Sequence, residues 1–398
     1  GIGKCGVMEM KKALGICLGV FFLLVGCNHN IVEREAETGE DSEEQVFVQN
    51  YQMDNMSYRL VLPFKQSEAR GMVAATLNNR LDMNRFELGM MNLSKSHFSP
   101  NKYYFQEGQY LNKEIIRSWL ARKLEGSALT AAKKEDSTFQ NLGLNPSIDT
   151  KGKDLETANE DSPIYLASIL EQNYLEKNNK DELQLSGISI GLAMNSVHYF
   201  EQEQGYPRET TISEAEILKQ GKSIAQEIVS RMRTMEGLEN VPIFICIFKQ
   251  EAASSIQPGV FLATSLVNKG ESSIKSWSQI DENYVTFPSE EASTTYREDS
   301  NTFNNFKSNV EDYFPNYTGM IGTGHYTEGI LREMTITVPV QFYSQTEITG
   351  FTQYVTSLVL KYYPKNLQVN IEISSAAGAE AVITKNRDAD EPNIYIYQ

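Results

Sequence analysis

One pattern recurs along the chain and restricts its fold more than any other. It is a run of strand period, then a helix with a capping signal, then two further strand-like runs. Ile188, Ile190, Leu192 and Met194 alternate with Ser189, Gly191, Ala193 and Asn195, a period of two that marks a strand with one buried face. Thr211-Ile212-Ser213-Glu214 has capping-box spacing, and Ile217, Leu218, Gly221, Ile224, Ala225, Ile228, Val229 and Met232 then form one helical stripe. The apolar run 241–248 and a strand over 260–267, entered through Pro258-Gly259, complete the unit. The order returns later: Met334, Ile336, Val338, Val340 and Phe342 alternate, with Pro339 suggesting an edge or a bulge. Ser344 to Glu347 repeats the capping spacing, and a stripe from Ile348 to Tyr362 stops at Pro364. Strands over 367–373, 381–383 and 394–397 close the chain. A strand, a crossover helix and a parallel strand form a right-handed unit wherever the two strands share a sheet. The expected fold class is therefore α+β, in two units of strand–helix–strand–strand order, with helices packed on mixed sheets. The best boundary is at 269–273, giving an N-terminal unit over 51–270 and a C-terminal unit over 271–398.

The stretch before that core is less regular. A first strand is expected over 58–64, helices over 72–93 and 113–124, a long polar and mobile loop over 125–162, and a further helix over 163–175.

The chain has 398 residues, more than the roughly 100–200 of one ordinary domain. Its 20 Tyr and 18 Phe exclude wholesale disorder. A net charge of −16 repels phosphate backbones and argues against nucleic acid as a partner.

The N-terminus indicates a destination. Residues 1–7 are expected to be an extension before a start at Met8 or Met10. After Lys11 and Lys12, residues 13–26 carry no charge, and this order of basic stub and apolar run is that of a secretory signal over 1–26. The run is shorter than the roughly 20 residues a helix needs to cross a bilayer. It ends in Leu24-Val25-Gly26-Cys27, which resembles a bacterial lipobox. Cleavage between Gly26 and Cys27 is then expected, with a diacylglyceryl group on the Cys27 thiol holding the protein at the outer face of the membrane. Residues 27–50 are expected to be a flexible tether, since Glu33, Glu35, Glu37, Glu40, Asp41, Glu43 and Glu44 face only Arg34. Loss of residues 1–26 removes three lysines and one glutamate and leaves −18. Cys5 and Cys17 leave with the signal and Cys27 carries lipid. Cys246 then stands alone as an inert core thiol, and no intrachain disulfide can form.

Motifs for chemistry fail on context. Gly187-Ile188-Ser189-Ile190-Gly191 matches G-x-S-x-G, but the nucleophile elbow needs a strand turning sharply into a helix, and this pentapeptide opens a strand. Gly319 to Gly324 lacks a following helix for phosphate and is expected to be a tight turn before the Met334 strand. His29, His97, His198 and His325 show no metal-ligand spacing, and no carboxylate pair stands out as acid and base. No catalytic residue, metal or other cofactor is expected. The aromatic segment Phe98, Tyr103, Tyr104, Phe105 and Tyr110 forms either a core patch or a sugar- or peptide-binding groove. Arg70, Arg80, Tyr103, Tyr104 and Glu107 are the candidate ligand-binding residues.

Several segments resemble the CamS family of sex-pheromone-precursor lipoproteins of Gram-positive bacteria. They are Leu62-Pro63-Phe64-Lys65, Ala69-Arg70-Gly71, Asn79-Arg80-Leu81-Asp82, Phe105 to Leu111, Tyr313-Phe314-Pro315-Asn316, Gly319 to Tyr326 and Pro339 to Tyr343. The resemblance implies that the apolar signal tail, here Val20, Phe21, Phe22, Leu23, Leu24, Val25 and Gly26, is released as a short mating peptide. The implied partners are the membrane through Cys27, lipoprotein-processing enzymes and a peptide receptor. The body is expected to bind or scaffold rather than catalyse, with a cell-wall glycan or small ligand as one alternative and a surface hydrolase built on Ser189 as another.

Overall fold

A computed structural model describes residues 57–313 and 319–397. The signal over 1–26, Cys27 and the tether over 27–50 lie outside these described residues. The described residues form one compact unit.

Its first sheet has the strand order β1-β2-β3-β4-β7-β8-β9. The chain enters through β1 (Arg59–Leu60), α1 (Met72–Thr76), α2 (Arg80–Ser94), β2 (Tyr104–Glu107) and α3 (Lys113–Leu120). It continues through α4 (Gly126–Glu135), α5 (Leu155–Asp161), β3 (Leu166–Lys177) and β4 (Leu183–Asn195). A separate hairpin of β5 (Val197–Glu201) and β6 (Pro207–Thr211) precedes α6 (Glu214–Met232), β7 (Ile243–Gln250), β8 (Val260–Val267) and β9 (Ser278–Gln279). The second sheet runs β10 (Glu282–Phe287), β11 (Ile321–Thr327), β12 (Ile330–Pro339), β13 (Gln368–Ser375), β14 (Gly378–Lys385) and β15 (Asn393–Ile396) in spatial order. Helices α7 (Glu290–Thr295), α8 (Arg297–Tyr313) and α9 (Gln345–Tyr362) belong to it. The chain passes from one sheet to the other between Gln279 and Glu282.

The architecture is α+β, and the repeated order is present. Strand β4 pairs parallel with β7 across α6, and β8 returns antiparallel; β12 pairs parallel with β13 across α9, and β14 returns antiparallel. Both crossover helices start on a serine cap. Ser213 Oγ accepts from Glu216 N, so the cap lies two residues beyond Thr211, and Ser344 Oγ accepts from Glu347 N.

Several expectations are corrected. The stretch 163–175 is not a helix but β3, and its run of buried positions explains the misreading. A strand covered on both faces shows no alternation, so periodicity does not separate it from a buried helix. Strand β4 is likewise buried on both faces, not one. The polar stretch 125–162 holds α4 and α5 and is pinned by buried Asn145, which accepts from Leu166 N and donates to Leu120 O and Leu166 O. The helix over 72–93 is two helices, because Asn79 is extended and caps α2 by accepting from Asp82 N. The strand over 58–64 shrinks to two residues. Pro339 ends β12: the pairing with β11 stops at Thr337, and Pro339 is in register with Ser374 of β13 alone, a local edge within a strand that has a neighbour on each side. Residues 321–324 are strand, not turn, and the reversal falls at Glu328 and Gly329, both of positive φ. Gly322 and Gly324 serve packing, since a Cβ at Gly322 would meet the Phe303 ring at 2.7 Å.

The two sheets meet around Glu282. Its carboxylate accepts from Arg85 Nη2 at 2.6 Å and Phe261 N at 2.7 Å, and lies 2.9 Å from His325 Nε2. Burial pushes this carboxyl up, but His325 and Arg85 outweigh burial and hold it below the usual range.

Candidate functional site

A cavity of about 560 Å³ lies between α1, α2 and strands β2 and β3. Local sequence explains its walls. With α2 starting at the Asn79 cap, Arg80, Met83, Asn84, Glu87, Leu88 and Met91 recur at helical spacing along one face, and all line the cavity. Val73, Phe105, Ile169 and Leu170 contribute an apolar floor.

Two glutamates build the opposite wall. Glu171 of β3 is buried, and its carboxylate accepts from the backbone amides of Gln109, Tyr110 and Leu111 at 2.7–3.2 Å. Burial raises its pKa against those amides. The side chain lies across Gly108, where a Cβ would come within 2.6 Å of it, so only glycine lets strand and carboxylate approach. Glu107 accepts from Ser67 N at 2.8 Å and lies 3.9 Å from Arg70 Nε, a loose pair open to water. At the rim, Glu87 has its pKa raised by partial removal of its carboxyl from water and then by the charge of Glu107, with Arg70 opposing. Neither Arg80 nor Glu87 has a side-chain hydrogen bond or an ion pair within 4 Å among the described residues.

Three of the five candidate ligand-binding residues, Arg70, Arg80 and Glu107, therefore come together at one cavity. Tyr103 and Tyr104 do not line it. Tyr104 is buried under Arg59, whose guanidinium lies 4.0 Å from the ring centroid and donates to the Tyr104 hydroxyl. Tyr103 packs edge-on to Phe98. The aromatic segment is a core patch rather than a groove: Phe98 stacks on Tyr174 at 4.7 Å and Phe105 meets the same ring. Glu87, Glu171 and Gln172 are additional lining residues. Glu87 was visible seven residues after Arg80 on a helix, whereas Glu171 and Gln172 were hidden by reading β3 as helical.

Ser189 and the histidines His198 and His325 each have other partners. Ser189 is buried and hydrogen-bonded to Ser94 Oγ at 2.7 Å. His198 bonds Asn159, and burial pushes its pKa down to about 4, with Arg122 adding to the effect. His325 faces Glu282. Cys246 is fully buried, and burial raises its thiol pKa well above the ordinary value. Among the described residues no His, Cys, Asp and Glu cluster could hold a metal ion, and no helix is long and apolar enough to cross a membrane. The cavity offers opposite charges over an apolar floor.

The family model described as CamS sex pheromone cAM373 precursor matches residues 64–391. The chain belongs to the CamS family. Solved CamS relatives share its fold. The crystal structure of a sex pheromone precursor from Lactobacillus salivarius subsp. salivarius gives a TM-score of 0.76 at 32% identity, over 89% of this chain and 99% of that one. The C-terminal domain of the sex pheromone staph-cAM373 precursor from Staphylococcus aureus gives 0.70 at 33% identity, over 81% and 99%. No curated protein sequence matches the chain. The CamS match takes in the whole cavity wall from Ser67 to Gln172.

Proposed function

We propose that this CamS protein is a surface lipoprotein precursor with two products. One is a short apolar peptide from residues 20–26 of the leader, released after cleavage between Gly26 and Cys27. The other is a body held at the outer face of the membrane by a diacylglyceryl group on Cys27. The observation that carries this reading is the family match over residues 64–391, which joins the body to sex pheromone precursors. The chemistry of the leader supports it. Two acyl chains anchor stably where one would be marginal, and the acidic stretch 27–50 keeps the body clear of an anionic surface. Residues 20–26 hold no charged side chain, so the peptide can enter an apolar receptor pocket.

The body binds rather than catalyses. The cavity beside α2 supports that part, and it favours a small ligand over glycan stacking on Tyr103 and Tyr104, which are committed to packing.

Substituting Cys27→Ser in the native host tests the anchor. Lipid labelling is expected to vanish, with uncleaved precursor accumulating; persistent labelling refutes the anchor. Synthetic peptide 20–26 is expected to induce clumping in a recipient that carries a responsive conjugative plasmid. Silence across a broad panel refutes the message.

A further inference from the structure

The cavity beside α2 is chemically more specific than a generic pocket. Its floor is apolar, from Val73, Met83, Met91, Phe105, Ile169 and Leu170. Its charges run along α2, with Arg70 beside Glu107 at the Glu87 end, where two carboxylates against one guanidinium leave a net negative charge. Arg80 stands at the first residue of α2 and Glu87 seven residues later, with Glu107 adding a second carboxylate at the Glu87 end. At about 1.5 Å per residue those two side chains leave the helix about 10 Å apart along its axis, two turns on the same face. The groups are unequal in their surroundings. Glu107 has Ser67 N and a loose Arg70, while the side chains of Arg80 and Glu87 have no hydrogen bond and no ion pair within 4 Å among the described residues.

A ligand that satisfies this arrangement has an ammonium at one end, a carboxylate at the other, about 10 Å of separation and an uncharged apolar body. An extended chain spans about 3.3–3.6 Å per residue, so an apolar tripeptide with free termini has these dimensions. The cavity volume of about 560 Å³ lies within the roughly 300–1,000 Å³ of sites that enclose small ligands, which suits three or four residues.

We infer that the cavity lined by Arg80, Glu87 and Glu107 binds short apolar peptides with free termini, the ammonium at the glutamates and the carboxylate at Arg80. This rests on the reading of the body as a binding module and names its ligand class. The chain encodes one such ligand itself, since Leu24-Val25-Gly26 ends the leader without a charged side chain. The precursor body can thus retain fragments of the leader from which it was separated, and apolar peptides from elsewhere share the chemistry.

The test is titration of the full chain in detergent with the peptide Leu-Val-Gly, followed by calorimetry. Sub-millimolar binding is expected. Capping both termini as the N-acetyl amide is expected to weaken it at least tenfold, and Glu87→Gln and Arg80→Gln each by about tenfold, since each removes one charge-assisted contact. Ala74→Trp, at an exposed lining position, is expected to fill the entrance and abolish binding with an unchanged circular dichroism spectrum. Tighter binding of Leu-Val-Gly than of an unrelated apolar tripeptide assigns the site to the leader, and equal binding assigns it to apolar peptides in general. No binding by the wild-type chain, or equal affinity for the capped peptide, overturns the inference. Because the peptide is added from outside, this result is independent of whether Cys27 is acylated or the leader tail is active.

Discussion

The two sheets of this protein solve the same problem differently. In the first, β4 and β7 are covered on both faces. Ile188, Ile190 and Leu192 pack with α6 residues such as Ile224 and Ile228, while Ala193, Phe244, Cys246 and Phe248 join Phe86 and Met90 of α2 in a second core. In the second, Met334, Ile336 and Val338 of β12 enter a single core with α8 and α9, and Thr335 and Thr337 between them are exposed. A second helical layer thus costs the first sheet its tolerance and provides it with a cavity. Where α1 and α2 cross β2 and β3, the layer is incompletely filled and lined with charge.

That contrast is broken most directly by adding volume. A Cβ at Gly191 would meet the Phe86 ring at 2.6 Å and Met90 Sδ at 2.8 Å, because α2 lies directly on β4. Gly191→Val is expected to lose about 3 kcal/mol or more in urea unfolding, at the upper end of overpacking costs. Thr337→Val on the open face of β12 is expected to change stability by less than about 0.5 kcal/mol. Similar losses at the two positions would show that the second sheet is covered as well.

Legibility in the sequence follows the same division. Where one face is open, as in β12 and β13, alternation marked the strand and the serine cap marked α9, and the order of elements was readable. Strand β3 failed because buried residues on both faces erase the period of two, and this concealed Glu171 and Gln172 from the site. Helix α2 was visible, so Arg80 was legible, but its start was not, because the Asn79 cap sits inside a continuous polar and apolar mixture. Tyr103 and Tyr104 lie away from the cavity for another reason. Aromatic spacing carries no information on which ring a distant strand will cover, and Tyr174 of β3 supplied the partner for that patch.

The attachment of α2 gives the next largest effect. Asp82 is buried, and its carboxylate accepts from Gly259 N at 2.5 Å and Glu251 N at 3.0 Å, tying the helix to the segment between β7 and β8. Asp82→Ala leaves the buried Gly259 amide and the half-buried Glu251 amide without this acceptor and is expected to lower stability by about 2–3 kcal/mol. It should also weaken Leu-Val-Gly binding, because the cavity wall is a face of the same helix. A drop in stability with peptide binding intact would show that α2 holds its position without this latch.

The smallest effect distinguishes two carboxylates by sign. Asp82, within the doubly covered sheet, has its pKa raised by burial from 3.8 to about 6, with the two amides opposing. Over that window the folded chain holds a proton that the unfolded chain has released, so this group's contribution to stability falls as pH rises. Glu282, at the junction, is held below its ordinary value by His325 and Arg85 against burial. Its contribution is full above that ordinary value and is lost as pH falls through the lower folded one. The two therefore oppose each other on the acid limb of a stability profile. Glu282→Gln is expected to make stability decline less steeply as pH falls below about 5, and Asp82→Asn to make it decline more steeply. Each change in slope corresponds to about one proton at most, or about 1.4 kcal/mol per pH unit. If both variants shift the acid limb in the same direction, the two carboxylates do not differ in sign, and the junction between the sheets is not held by an ionised Glu282.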